Sequence, residues 1–231
     1  MDYTNYKFRP SSIGKLMVNG RSKSDPLSET TKSYLLEIFI EEEYGRRKDI
    51  TNKFMEKGIL TEEDSLNLLT AHYKKLFIKN KEKLSNDFVT GTPDIITDKI
   101  IDIKSSWDIW TFFKADGENK DYYWQLQAYM WLTGKTEADL VYCLNNSPEH
   151  LIFDEKRHQM YRLGLVDHEG TEDFNNMESE VEKNMKFDDI PADKRIKVFN
   201  FKYLPEDIEA LKLRITECRN YLNVFKSVYN L

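Results

Sequence analysis

The sequence predicts an α/β fold in which a small mixed sheet is flanked by helices. Two kinds of pattern support this prediction. Long segments place apolar residues at helical spacing, whereas short segments rich in isoleucine, valine and aromatic residues are bounded by turn residues, as in strands. Along the chain, the order is helices, a hairpin, a helix, a strand, a polar segment, a strand and a final helix.

The first two helices are predicted from their apolar spacing. Residues 30–45 place tyrosine, leucine, isoleucine and phenylalanine on one stripe. Residues 61–77 form the second helix. Thr61 is expected to be its N-cap, and Asp64 follows three residues later, close to a capping-box arrangement.

Two further helices follow the hairpin. Residues 121–134 are apolar almost all round, so this helix is expected to be buried, with Gly134 at its end. The last helix starts near Pro205. Its apolar face carries Ile208, Leu211, Ile215, Cys218, Leu222, Phe225 and Tyr229.

The predicted strands comprise the hairpin within residues 91–106, a central strand at 138–144 and an alternating strand at 195–204. The polar segment between the last two strands, residues 148–193, is expected to leave the sheet.

Composition restricts the class of protein. The chain has 231 residues, a net charge of −6, two cysteines and four histidines. We expect one domain over 1–231, in a reducing cytoplasm. No disulfide framework, zinc site, signal sequence or membrane span is expected. A local basic patch is possible at His72–Lys83, with five lysines and one glutamate, although a solvated helix end gives the same pattern.

Charged residues interrupt the isoleucine-rich hairpin. Asp102 and Lys104 share one face of their strand, because side chains alternate. A three-residue loop at 97–99 places Asp94 directly opposite Asp102, whereas a two-residue turn sends Asp94 to the other face. The site hypothesis therefore needs the odd-length loop or a bulge. Two facing carboxylates repel unless a cation lies between them, and oxygen ligands suit Mg²⁺ or Mn²⁺. The alternative is an exposed hairpin with ordinary Asp–Lys pairs.

The pattern Pro93-Asp94-x7-Asp102-x-Lys104 resembles the signature of the PD-(D/E)XK nucleases. Gly58 and Glu62 are similar to the Gly-x-x-x-Glu helix of that superfamily.

Two more motifs occur in the expected order. Gln125 and Tyr129 resemble the Gln-x-x-x-Tyr motif of RecB-type members, and "FRPSSIGKL" resembles the opening of phage lambda-type (YqaJ-like) exonucleases. The resemblance implies a single nuclease domain over 1–231, with a restriction-endonuclease-like αβββαβ core, the metal site at one edge of the sheet and an N-terminal helical elaboration. For a phage-encoded chain, the expected location is the host cytoplasm.

The resemblance also implies roles for the matching residues. Asp94 and Asp102 would bind Mg²⁺ or Mn²⁺, helped by the backbone carbonyl of Ile103, and Lys104 would act on the attacking water. Glu62 would complete the coordination or assist proton transfer, and is preferred to Glu63 because of its spacing from Gly58. Gln125 would lie near the metal or the scissile phosphate. Glu62 also fits a plain first-turn acid, and Gln125 and Tyr129 also fit polar positions on a buried helix.

Six residues are candidates for contact with nucleic acid. Arg9, Ser11 and Ser12 could hold a phosphate at a helix start, or form a plain N-cap after Pro10. Ser105 and Ser106 follow the lysine and could contact the DNA backbone or simply end the strand. The sixth candidate is Tyr129.

The resemblance implies a metal-dependent DNA exonuclease, in its most specific form acting 5′→3′ on double-stranded ends in phage-type recombination or DNA processing. A structure-specific or restriction-like endonuclease on the same core is an alternative, and a catalytically inactive nucleic-acid-binding module is another. The implied partner is DNA. A single-strand annealing or recombination protein and a homo-oligomer are compatible with the resemblance, and no membrane is expected. Two cysteines do not support the four-cysteine iron–sulfur cluster of some RecB-type relatives.

Overall fold

The structure is a computed structural model that describes residues 2–22, 25–48 and 52–228. Tyr229, assigned above to the last helix, lies outside these ranges. The described α-helices are α1 Glu29–Tyr44, α2 Lys53–Leu60, α3 Glu62–Tyr73, α4 Ile109–Lys114, α5 Lys120–Thr133, α6 Glu149–Leu163, α7 Glu172–Met185 and α8 Pro205–Val228. The described strands are β1 Asn19–Ser22, β2 Asp25–Leu27, β3 Leu84–Ser85, β4 Thr90–Gly91, β5 Ile95–Ile96, β6 Ile100–Ser105, β7 Glu137–Cys143 and β8 Ile196–Lys202.

The main sheet has four strands in the order β5-β6-β7-β8. Strands β6 and β7 are parallel, and the other two pairings are antiparallel. Two short hairpins, β1-β2 and β3-β4, lie outside it. The α/β class with a small mixed sheet is therefore confirmed.

Helices cover both faces of this sheet. On one face, Ile100 of β6 packs with Leu126 and Met130 of α5. On the other face, Ile101 packs with Leu69 of α3 and Val141 of β7. The alternation of side chains along β6 therefore directs even-numbered residues, including Asp102 and Lys104, towards α5.

The helix before the hairpin begins where it was predicted but ends earlier. Thr61 is the N-cap residue of α3, although its hydroxyl makes no capping hydrogen bond; it donates to the carbonyl oxygen of Lys57 at 2.8 Å, one turn back in α2. Gly58 and Glu62 consequently lie on two consecutive helices. Helix α3 ends at Tyr73 because Lys74 adopts a left-handed conformation with φ of 51°.

Residues 148–193 leave the sheet, as expected, but they contain two helices that were not predicted. Helices α6 and α7 enclose their own apolar cluster of Leu151, Ile152, Met177, Val181 and Met185. Met177, Val181 and Met185 recur every fourth residue and form a narrow apolar stripe of helical period on α7. The other positions of this helix are mostly acidic residues and asparagines, so the stripe is a weak signal in the sequence.

The N-terminal segment packs closely on α5. Residues Pro10–Leu16 form a 3₁₀ helix, and a Cβ on Gly14 would lie 2.6 Å from the Cα of Asp121. Only glycine permits this approach. Within the described ranges, no helix has the length and apolar character needed to cross a membrane.

Candidate active site

The hairpin loop sets the register of the two aspartates. Ile95 pairs with Ile101 and Ile96 with Ile100, so Thr97–Lys99 form a three-residue loop and Asp94 stands opposite Asp102. The predicted odd-length loop is confirmed.

Asp94 lies at the open edge of β6. Strand β5 begins only at Ile95, so Asp94 lies just before it. The carboxylate oxygen Oδ2 of Asp94 accepts a hydrogen bond from the N–H of Ile103 in β6 at 2.9 Å. The N–H and carbonyl of one strand residue point to the same edge, so the Ile103 carbonyl faces this side as well. Asn80 holds Asp94 from outside by donating its N–H to the Asp94 carbonyl at 2.7 Å.

Asp102 and Lys104 are fixed by α5. Gln125 Nε2 donates to Asp102 Oδ1 at 2.9 Å, and Lys104 Nζ donates to Gln125 Oε1 at 3.2 Å. Lys104 Nζ also lies 2.8 Å from Asp102 Oδ2 and 4.6 Å from the centre of the Tyr122 ring. Asp102 is 1% exposed, so this network is almost dry.

Burial and like charge both act on the acidic pair. Burial, reinforced by the charge of Asp102, raises the pKa of Asp94 to about 6. Burial alone would lower the pKa of Lys104, but Asp102 and Asp94 outweigh it and raise that pKa. The site thus concentrates negative charge beside one stably protonated ammonium group, an arrangement that favours a bound cation.

A cavity of about 560 Å³ opens beside these residues. Its lining includes Glu62, Lys79, Asp94, Lys104 and Tyr122. The carboxylate of Glu62 forms an ion pair with Lys79. Glu63 is exposed and does not contribute to the lining, which supports the preference for Glu62.

The carboxylates fit a hard divalent cation. Asp102 Oδ2 is buried and receives no hydrogen bond from the residues that the structure describes, although Lys104 is close. Carboxylate oxygens with a backbone carbonyl are the ligands that Mg²⁺ and Mn²⁺ prefer. Asp94 and Asp102 are brought together, whereas Glu62 lies at the rim; within the described ranges, no three acidic, histidine or cysteine side chains converge on one point.

The two serines after Lys104 are directed into the protein. The Ser105 hydroxyl lies 2.8 Å from that of Thr61 and 3.2 Å from that of Ser65, although Ser105 also lines the cavity. Ser106 is 6% exposed and is not part of the cavity wall. The expected contact of Ser106 with nucleic acid is therefore not supported, because the end of the strand buries this hydroxyl.

The N-terminal candidates line other cavities. Arg9 and Ser11 line one of about 360 Å³ together with Thr92 and Tyr129, whose hydroxyl donates to the Thr92 carbonyl at 3.3 Å. Arg9, Ser11 and Ser12 also line an adjoining cavity of about 540 Å³. Thr92 is two residues before Asp94, so Tyr129 and the N-terminal segment lie near the active-site strand.

Three residues of the site were missed by the sequence analysis. Tyr122 lies one turn before Gln125, and its helical spacing from that residue is a signal that could have revealed it. Asn80 and Lys79 belong to the lysine-rich segment, where no periodic pattern distinguishes a residue facing the site from a solvated one.

Comparisons with solved structures identify similar folds. The chain matches the crystal structure of a phage-related exonuclease from Haemophilus somnus 129PT with a TM-score of 0.77 and 25% identity, over 97% of each chain. The chain has a PD-(D/E)XK exonuclease-type fold. It also matches an alkaline exonuclease (LHK-Exo) from Laribacter hongkongensis, with a TM-score of 0.65, 14% identity and coverage of 98% of this chain and 93% of that one. At that identity, the second match concerns the fold alone. No protein-family model and no curated protein sequence matches the chain.

Proposed function

We propose that this chain is a Mg²⁺- or Mn²⁺-dependent DNA exonuclease that hydrolyses phosphodiester bonds from double-stranded ends, in the 5′→3′ direction. The observation that carries the proposal is the cross-strand pair of Asp94 and Asp102 beside Lys104 at the open edge of the sheet. The exonuclease fold, matched over 97% of the chain, supports the same reaction class.

Asp94, Asp102, the Ile103 carbonyl and Glu62 would hold the cation. When bound, the cation polarises the phosphoryl oxygen and lowers the pKa of the attacking water. Lys104 keeps its proton and orients that water or stabilises charge on the phosphate, as the water oxygen bonds to phosphorus and the deoxyribose oxygen leaves. Gln125 positions both Asp102 and Lys104, since it bonds to each of them.

The polarity of degradation is inferred from the N-terminal cavity. Arg9 and Ser11 line it with Lys7 and Lys83, so its lining offers three cationic groups close to Tyr129. Such a cavity suits a terminal phosphate, which needs charge-assisted donors. Among the structural neighbours, LHK-Exo was solved in complex with dAMP, with a TM-score of 0.62 and 14% identity.

The biological role proposed is DNA end processing in phage-type recombination, in the cytoplasm. A single-strand annealing or recombination protein is the proposed partner, since an exonuclease of this polarity leaves single-stranded 3′ ends for it. Homo-oligomerisation is compatible with this role.

The test compares DNA forms in Mn²⁺ and Mg²⁺. The wild-type protein should degrade linear duplex DNA and leave closed circular DNA intact, and a 5′-terminal label should be released before a 3′-terminal one. Cleavage of the circle would instead identify an endonuclease. No cleavage of any DNA form would favour a binding module and contradict the proposal.

A further inference from the structure

The lysine-rich segment after α3 brings one ammonium group into the active-site cavity. Asn80 fixes the path of this segment: its N–H donates to the Asp94 carbonyl at 2.7 Å, and its side-chain amide donates to the Pro93 carbonyl at 3.1 Å. The preceding residue, Lys79, is thereby held beside the strand that carries Asp94. Its ammonium group pairs with Glu62 across the cavity.

The two ammonium groups of the cavity are held differently. Lys104 is enclosed by Asp102, Gln125 and the Tyr122 ring, and its side chain is 21% exposed. The Lys79 side chain is 39% exposed, as is that of its partner Glu62. Because an exposed ion pair is weak, Lys79 can leave Glu62 at little cost in free energy.

The charge balance of the cavity predicts what displaces Lys79 from Glu62. Glu62 and Asp94 line the cavity with the ammonium groups of Lys79 and Lys104, and the buried carboxylate of Asp102 lies directly behind Lys104, so the five charged groups together carry one net negative charge. A divalent cation makes the balance positive and repels Lys79 from Glu62. A phosphodiester group then supplies the anion that the released ammonium lacks.

We propose that Lys79 alternates between two anions: Glu62 in the metal-free protein and a phosphate of the DNA once a divalent cation engages Glu62. The inference rests on the proposed function, in which Glu62 helps to hold the cation. Lys79 is then a phosphate-contacting residue that links cation loading to DNA binding. Lysine suits this role, because its compact charge sits on a flexible stem and binds phosphate without a fixed geometry.

The first test measures Mn²⁺ affinity by calorimetry, without DNA. Lys79→Met should bind Mn²⁺ roughly two- to fivefold more tightly than wild type, the range that an exposed ion pair is worth. Lys81→Met is the matched control, since it removes the same charge two residues away at an exposed position outside the cavity. Its Mn²⁺ affinity should stay near that of wild type. In a Glu62→Gln background, Lys79→Met should no longer tighten binding.

The second test separates substrate binding from chemistry on linear duplex DNA. Lys79→Met should raise KM about fivefold, as expected for one lost charged contact at a partly exposed site, and change kcat little. Metal affinity and substrate affinity would then move in opposite directions, which a general loss of structure does not produce.

The outcomes distinguish this inference from the proposed function. Equal Mn²⁺ affinity in wild type and Lys79→Met, equal tightening in Lys81→Met, or an unchanged KM overturns the role of Lys79 and leaves the nuclease standing. Absence of Mn²⁺ binding by the wild-type protein overturns both.

Discussion

Gln125 on α5 joins the two charged residues of β6, donating to Asp102 at 2.9 Å and accepting from Lys104 at 3.2 Å. One amide thus orients both the carboxylate that we propose as a ligand of the cation and the ammonium that we propose to act on the attacking water. A buried amide with both functions satisfied positions its partners strongly, because an unpaired buried polar group is costly.

Gln125→Met should lower kcat and weaken Mn²⁺ binding, since Asp102 and Lys104 lose their common partner. Gln127→Met is the matched control on the same helix: this buried glutamine donates to the Lys202 carbonyl and accepts from the Leu204 N–H, away from the site. The control should lose about 1–3 kcal/mol of stability in urea unfolding but keep its kcat. Similar losses of kcat in both variants would contradict the positioning role of Gln125.

Deleting Asp98 should abolish Mn²⁺ binding and nuclease activity. The deletion leaves a two-residue turn, and a one-residue slip sends Asp94 to the opposite face of the hairpin. Asp98→Asn keeps the loop length at this exposed position and should retain both properties. Circular dichroism and thermal melting would establish that the deletion variant is folded. A folded deletion variant with wild-type Mn²⁺ affinity would show that the register of the β5-β6 hairpin does not determine cation binding.

Asp94→Asn should stabilise the metal-free protein above pH 6. The pKa of Asp94 is raised to about 6 from an ordinary value of 3.8, so its ionisation lowers stability as the pH rises through this window. The free energy of unfolding of the variant should exceed that of wild type by on the order of 1–3 kcal/mol at pH 7.5, and this difference should disappear near pH 3.5. Urea unfolding with a chelator present measures it. Mn²⁺ should stabilise wild type at pH 7.5 and fail to stabilise the variant. If the free energy of unfolding of the variant depended on pH in the same way as that of wild type, the raised pKa of Asp94 would be refuted.

Lys57→Met should stabilise the protein at neutral pH. Lys57 is 1% exposed and donates to the Trp107 carbonyl at 2.8 Å, and burial lowers its pKa to about 7. The folded state releases this proton more readily than the unfolded state, so the stability of wild type should rise with pH from about 7 towards 10 relative to the variant. Parallel stability curves for the two proteins between pH 6 and 9.5 would be inconsistent with a lowered pKa.

The sequence predicted the hairpin from its isoleucine-rich pattern, and the requirement that Asp94 and Asp102 face each other predicted a three-residue loop or a bulge, of which the structure has the loop. It also identified Gln125, through its resemblance with Tyr129 to the Gln-x-x-x-Tyr motif. Lys79 could not be predicted, because its position depends on hydrogen bonds from Asn80 to the backbone of a segment distant in the sequence. Thr61 is the N-cap residue of α3, as predicted, but its hydroxyl bonds to the Lys57 carbonyl of the preceding turn and not to the N–H groups of α3. Helices α6 and α7 were missed because their apolar residues are few and form a separate cluster.

The account depends most directly on a divalent cation between Asp94 and Asp102. Anomalous X-ray scattering from a crystal soaked in Mn²⁺ measures this. We expect a peak within about 2.0–2.4 Å of carboxylate oxygens of both residues, with the Ile103 carbonyl in the same shell. A well-ordered structure with the two carboxylates apart and no peak between them would contradict the catalytic account.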